Sequence, residues 1–240
     1  MAVFTISDLH LPGGDAINKS MDMFGPGWRD HKSKLESSWR AVVNDSDTVV
    51  VAGDISWAMT LEDAKGDLLF LDSLPGEKII IEGNHDYWLP TLSKLRAFFE
   101  ASHIATLTML RGNAFERDGL IICGTRGWFS SESEQNKAFD ADYEKLAHRE
   151  AERLRSSIKA GLVLSGGDVA PLRVFLHFPA DFGGELCEPV VSVLREYNIR
   201  RVYFGHIHGT YSYPRAYESG GIEYCGTAAD YLRFIPRLVT

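Results

Sequence analysis

Short apolar runs alternate with amphipathic segments over the first half of the chain. Ala2 to Ser7 reads as a strand. Asp30 stands where a helix cap belongs, and Leu35, Trp39, Val42 and Val43 share one face of a helix reaching about Val43. Thr48 to Ala52 is a continuous, largely β-branched run, which suits a strand buried on both faces. Thr60 offers an N-cap, with Asp63 three residues on, for a helix to about Leu74. Lys78 to Ile81 is a second buried-strand run, and Pro90 opens a helix to about Ala101. Strand–helix alternation of this kind implies parallel pairing through crossovers.

The pattern changes near Thr106. Thr106 to Arg111, Ala114 to Arg117 and Leu120 to Cys123 read as short strands, split by Gly112-Asn113 and Asp118-Gly119 as turns between antiparallel strands. Asn136 to Ala160 is the longest helical pattern, with Phe139, Tyr143, Leu146, Leu154 and Ile158 on one stripe and Gly161 as its stop. Arg173 to Leu176 and Arg201 to Phe204 return to buried strands, with a helix from about Cys187 to Tyr197 between them. Gly13 to Asp30 is a long Gly- and Pro-containing loop and therefore a candidate functional segment.

Five polar motifs punctuate this pattern, each just past an apolar run. They are Asp8-Leu9-His10, Gly53-Asp54, Gly83-Asn84-His85-Asp86, His177 in Leu176-His177-Phe178-Pro179, and Gly205-His206-Ile207-His208. Five of the eight histidines fall in them. Histidines scattered as packing residues would not collect beside Asp and Asn at strand ends. Imidazole and carboxylate together suit Mn, Fe, Zn and related ions, and the set is large enough for two. Alternation along an extended segment would put Asp8 and His10 on one side. Because open α/β sheets build sites outside the carboxyl ends of their strands, the motifs should meet at one edge of one sheet.

The motifs extend from Asp8 to His208, so one site must gather nearly the whole chain; this favours a single domain over residues 1–240. A composition 45% hydrophobic and 24% charged is that of an ordinary globular protein. The formal net charge is -8, with no obvious basic stripe, which argues against a nucleic-acid duplex as partner. It does not exclude an anionic substrate, because bound metal ions dominate the local field. Three widely spaced cysteines, the lack of a signal-like N-terminus and the absence of any run of about 18 apolar residues point to a cytoplasmic protein without a membrane span.

In their order and composition the five motifs resemble the calcineurin-like metallophosphoesterase superfamily, and the resemblance covers most of the chain. It implies an α/β fold, a four-layer α/β/β/α sandwich with two packed mixed sheets. It also implies that Asp8, His10 and His208 bind one metal ion, that Asn84, His177 and His206 bind another, and that Asp54 bridges them. Mn2+, Fe2+/Fe3+ and Zn2+ are the candidates. His85 would face the substrate as general acid, with Asp86 orienting its imidazole. Two ions about 3.5–4 Å apart can hold a hydroxide for in-line attack on phosphorus and polarise a phosphoryl oxygen. A histidine with a carboxylate partner suits protonation of the leaving oxygen. After Asp54 the chain reads Ile55-Ser56-Trp57, and Asp86 rather than Glu follows Asn84-His85. Both depart from the Ser/Thr protein phosphatase branch, whose phosphate-gripping arginines have no counterpart here.

The expected activity is hydrolysis of a small phosphomonoester or phosphodiester, with a nucleotide among the candidate substrates. A non-catalytic scaffold retaining the fold and a nuclease are the alternatives. Trp57, Tyr87, Trp88 and Trp128 follow ligand motifs or strand ends and could line an aromatic mouth, although packing of helix starts is the plainer role. Arg126, Lys19 and Arg29 could clamp phosphate, although each also reads as an ordinary surface charge. His31, His103 and His148 are expected to have no role in the site, with His31 the closest to the long loop.

Overall fold

Val49 and Val51 point to one side of their strand, Val50 and Ala52 to the other, and all four are fully buried. A strand covered on both faces belongs inside a layered stack, and the computed structural model shows that stack. Residues 1–14, 21–138, 141–209 and 212–240 are described. Lys19 and Phe139 lie outside them, as does part of the long loop.

The elements run β1 (Val3–Ile6), α1 (His31–Val42), β2 (Thr48–Ala52), α2 (Lys65–Asp72), β3 (Glu77–Ile81), α3 (Leu92–Ala101) and β4 (Leu107–Met109). Then follow β5 (Phe115–Arg117), β6 (Leu120–Thr125), α4 (Glu132–Ala138), α5 (Tyr143–Leu164) and β7 (Leu172–Leu176). The chain continues through β8 (Asp181–Phe182), β9 (Glu185–Leu186), α6 (Glu188–Glu196), β10 (Arg201–Phe204), β11 (Ala216–Ser219), β12 (Ile222–Gly226) and β13 (Arg237–Leu238). One sheet has the order β13-β1-β2-β3-β4 and the other β11-β12-β10-β7-β6-β5. Both are mixed: β13, β5 and β11 run antiparallel to their neighbours, and the inner strands are parallel.

Period-two alternation sorts the core into three layers. Ile6, Val49, Val51 and Ile80 pack on Leu35, Trp39, Leu68 and Leu95 of α1 to α3. Leu172, Val174, Val202 and Tyr224 pack on Leu154, Ile158, Val190 and Leu194 of α5 and α6. The intervening positions Val50, Ile79, Ile122, Phe175, Tyr203 and Cys225 fill the space between the sheets, where Phe175 and Tyr203 stack at 5.0 Å. Helices outside two face-to-face sheets give the expected four-layer α/β/β/α sandwich. Cys123, Cys187 and Cys225 are free and buried. Among the described residues, no helix is long and apolar enough to cross a membrane.

Several local expectations are corrected. β4 is not part of an antiparallel series; it pairs parallel with β3 at the edge of the first sheet. Gly112-Asn113 therefore marks where the chain leaves one sheet for the other. Only β5 and β6, around Asp118-Gly119, form the expected hairpin. The long helical pattern divides into α4 and α5. Gly161 does not stop α5 but lies buried within it, where a Cβ would come 2.5 Å from Cys123 Sγ. The helix ends instead in a Schellman motif, with Gly167 N–H bonded to the Leu162 carbonyl at 2.8 Å and Gly166 in the left-handed region. Asp30 precedes α1 with a left-handed backbone and no side-chain cap bond. Thr60 and Asp63 form their reciprocal pair, but in a turn ahead of α2.

Candidate metal centre

The sheets present their carboxyl ends on the same side. β1, β2 and β3 of the first sheet end just before Asp8, Asp54 and Asn84, and β7 and β10 of the second end before His177 and His206. The motifs thus meet across two sheet edges, not the single edge expected from alternation alone. Asp8-Leu9-His10 is not extended either. Asp8 (φ 56), His10 (φ 45), Asp54 (φ 53) and His206 (φ 68) all adopt left-handed backbone, which is uncommon for non-glycine residues and concentrates at functional sites. Paired backbone holds them there: Asp8 N–H bonds the Gly53 carbonyl at 2.9 Å and His10 N–H the Asp54 carbonyl at 3.0 Å. Gly83 is required by close approach, since a Cβ there would fall 2.1 Å from Asp54 N.

All seven candidate ligands converge. One ligand atom each from Asp8, His10 and His208 lie within 4.8 Å of one another, and so do atoms of Asp8, Asp54 and His177. Asp54 Oδ2 stands 3.8 Å from His10 Nε2 and 3.6 Å from His177 Nε2. Asn84 Oδ1 lies 2.7 Å from His177 Nε2 and 3.0 Å from His206 Nδ1. The Ala52 carbonyl, which can only accept, is 3.0 Å from His177 Nδ1. On a neutral ring this places the proton on Nδ1 and leaves the Nε2 lone pair facing two oxygen acceptors.

Electrostatics agree with this assignment. Burial, reinforced by neighbouring imidazoles, holds His10 and His177 well below the ordinary histidine range and takes His206 down to about 3. These rings are neutral at neutral pH, the form that binds metal. Burial raises Asp8 to about 6 against the opposing effects of His208, Ser7 and the His206 N–H. Burial, then repulsion from Asp8 and Asp86, pushes Asp54 well above the carboxylate range. Both His10 ring nitrogens and Asp54 Oδ2 are buried without a hydrogen-bond partner. Unpartnered buried acceptors aimed at one another are costly unless a cation joins them. The residues therefore fit divalent metal ions.

His85 and Asp86 sit on the same loop. His85 N–H donates to Asp54 Oδ1 at 2.8 Å, and its half-buried ring packs 4.5 Å from Trp57. The Asp86 carboxylate accepts from Gly83 N, Ile55 N, Ser56 N and Trp88 Nε1. Those bonds tie the loop bearing Asp54 to the loop bearing Asn84 and His85.

The sequence model of the family described as calcineurin-like phosphoesterase matches residues 1–210. The chain belongs to this family. Membership, with the Asp and His groups just described, makes it a metal-dependent phosphoesterase and so a hydrolase. No curated protein is similar enough to match. Solved structures share this fold at low identity. A protein from Thermus thermophilus is 13% identical with a TM-score of 0.60, over 95% of this chain and 89% of that one. A phosphopantetheinyl hydrolase from Mycobacterium tuberculosis is 16% identical with a TM-score of 0.52, over 99% and 95%. A protein of unknown function from Aquifex aeolicus is 15% identical with a TM-score of 0.51, over the same shares, 99% and 95%.

Around this phosphoesterase centre the other singled-out residues separate. Trp57 stacks on His10 at 4.7 Å, Trp88 and Trp128 are buried, and only Tyr87 is exposed. Arg126 is neither a surface charge nor turned to the centre: it bridges Glu82 at 3.1 Å and approaches Glu150 at 3.9 Å, over the Trp128 ring. Arg29 and His103 are exposed, and His148 pairs with Glu144 on α5. His31 reaches the His10 carbonyl at 3.2 Å, behind the site. Three contributors carried no signal in the pattern. Trp28, in the long loop, packs on His10 and His208. Ser7 Oγ donates to Asp8 Oδ2 at 2.6 Å. Asp230 accepts from Gly209 N–H at 2.8 Å, beyond the last motif. Folding, not spacing, brings Asp230 in, through the bridge between Ser7 and Ala228.

Proposed function

We propose that residues 1–240 act as one phosphoesterase domain hydrolysing a small phosphomonoester or phosphodiester. The observation that carries this reading is the convergence, from both sheets, of the unpartnered His10 Nε2 and Asp54 Oδ2 with His177 Nε2 and the half-buried Asn84 Oδ1. Asp8, His10 and His208 would hold one ion and Asn84, His177 and His206 the other. Asp54 Oδ2, lying between His10 and His177, would be shared. When bound, the ions supply Lewis acidity toward a phosphoryl oxygen and acidify water at neutral pH.

The chain's own groups do the rest. His85 gives a proton from its ring to the departing ester oxygen. Trp57 limits where that ring can lie, since it contacts both His85 and His10. Asp86 fixes the loop backbone, and the Ala52 carbonyl fixes the His177 tautomer. Buried free thiols support a reducing, cytoplasmic setting.

The test is a screen of metal-loaded protein against an aryl phosphate, an aryl phosphodiester, nucleotides and a phosphopantetheine ester. The last is included because the Mycobacterium tuberculosis protein of similar fold is a phosphopantetheinyl hydrolase. Chelation should abolish turnover, and Mn2+ should restore it better than Ca2+, which prefers all-oxygen shells. No turnover of any ester with metal bound would favour the scaffold reading.

A further inference from the structure

Beside His206 opens a cavity of about 340 Å³. Its volume is in the range of small-molecule sites. It adjoins the metal centre because the His206 ring that faces Asn84 on one side packs 4.4 Å from Phe178 on the other. Phe178 in turn packs 4.3 Å from Phe129. The opposite wall is a second aromatic pair, Phe182 and Tyr213 at 4.5 Å. Glu185 of β9 also lines it. Glu185 is tied to Ser131 Oγ at 2.7 Å, which holds the β8–β9 hairpin over the opening.

A phosphoesterase needs positive field only where the phosphoryl group sits. This neighbouring space is lined by aromatic rings and the Glu185 carboxylate instead, so it disfavours a second anionic group and attracts a cation through the ring faces and that carboxylate. We propose that this pocket takes the organic part of the ester, and that the preferred esters carry an alkylammonium group flanked by apolar carbon. Nucleoside polyphosphates, with extra negative charge, are disfavoured by the same walls. This proposal rests on the phosphoesterase reading for the identity of the group held beside it.

The experiment uses three aryl phosphates that differ only at the para position: trimethylammonioethyl, the uncharged 3,3-dimethylbutyl isostere, and carboxyethyl. Metal-loaded protein should hydrolyse the cationic ester with kcat/KM about 3–30-fold above the neutral one, the scale of a cation–π contact, and the anionic ester should be slowest. Glu185→Gln should shrink the cationic-to-neutral ratio. Phe182→Ala should raise KM for the cationic and neutral esters and leave inhibition by inorganic phosphate unchanged. Calorimetric binding of the three phenols reads the pocket independently of turnover and should follow the same order. Equal phenol affinities, or a charge order unmoved by Glu185→Gln, would overturn the proposal. Ordered phenol binding with no hydrolysis of any ester would leave the pocket assignment standing and remove the phosphoesterase reading.

Discussion

Asp54 and His177 come from opposite sheets, and their side chains face each other at 3.6 Å with neither meaningfully exposed. Asp54 Oδ2 accepts no hydrogen bond and the His177 Nε2 lone pair is turned inward, an arrangement that a shared cation would join. Metal-replete protein should contain two ions per chain by elemental analysis. Asp54→Ala should lose both and reduce kcat/KM by more than His208→Ala, which removes a ligand from one. A single ion bound by three of these residues would defeat the two-metal arrangement.

The half-buried ring of His85, held against Trp57, should act at the leaving oxygen. His85→Asn should keep its metal content and lower the rate on an alkyl ester by roughly 10²–10⁴, the usual contribution of general acid–base catalysis. An ester of an acidic phenol should lose far less, because its leaving oxygen needs little protonation. Equal losses on both esters would assign His85 to the phosphoryl group instead.

Gly161 makes a packing prediction that runs against helix propensity. Alanine is the better helix former by about 1 kcal/mol, but a Cβ at 161 would sit 2.5 Å from Cys123 Sγ and 2.9 Å from Ile121 Cγ2. Gly161→Ala should therefore destabilise by about 1–3 kcal/mol in urea unfolding, as overpacked cores do. Adding Cys123→Ala should recover part of the loss. Additive effects of the two changes would show that the clash lies elsewhere.

Lys78 of β3 is fully buried, and its Nζ donates to the Leu74 carbonyl, to the Asp72 carbonyl at 3.2 Å and to Thr106 Oγ1 at 3.0 Å. Burial takes its ammonium from the ordinary 10.5 down to about 8. Between those values the unfolded chain holds the proton and the folded one does not, so stability rises with pH across the window. The contribution is complete above about 10.5 and is lost as pH falls through about 8. Unfolding of the wild type and of Lys78→Met at pH 8, 9 and 10 should show the wild type gaining on the variant. A constant difference would mean that Lys78 stays protonated throughout.

The parts of this molecule readable from sequence are those in which one residue's neighbours in sequence decide its surroundings. Thr48 to Ala52 declares a doubly buried strand by itself, and ligand residues cluster immediately after such strands. Assignment to a sheet is different. Thr106 to Arg111 looks like the start of a hairpin series because Gly112-Asn113 follows, yet its partner is β3, chosen by the layer that Leu107 and Met109 fill. Asp8 and His10 read as an alternating pair, but their left-handed backbone is held by the Gly53 and Asp54 carbonyls just past β2. Asp230 and the Phe129–Phe178 wall of the cavity depend wholly on contacts between distant segments.

β13, at Arg237–Leu238, pairs with β1, at Val3–Ile6, after the chain has built the entire second sheet. During synthesis the first sheet therefore waits with β1 as an open edge until residues 237–238 emerge. Over that interval β1 offers unpaired backbone to any extended peptide nearby, while the candidate metal ligands, the last being His208, have all been made. Early metal capture would tie β1 to β2, β3, β7 and β10 before its edge partner arrives.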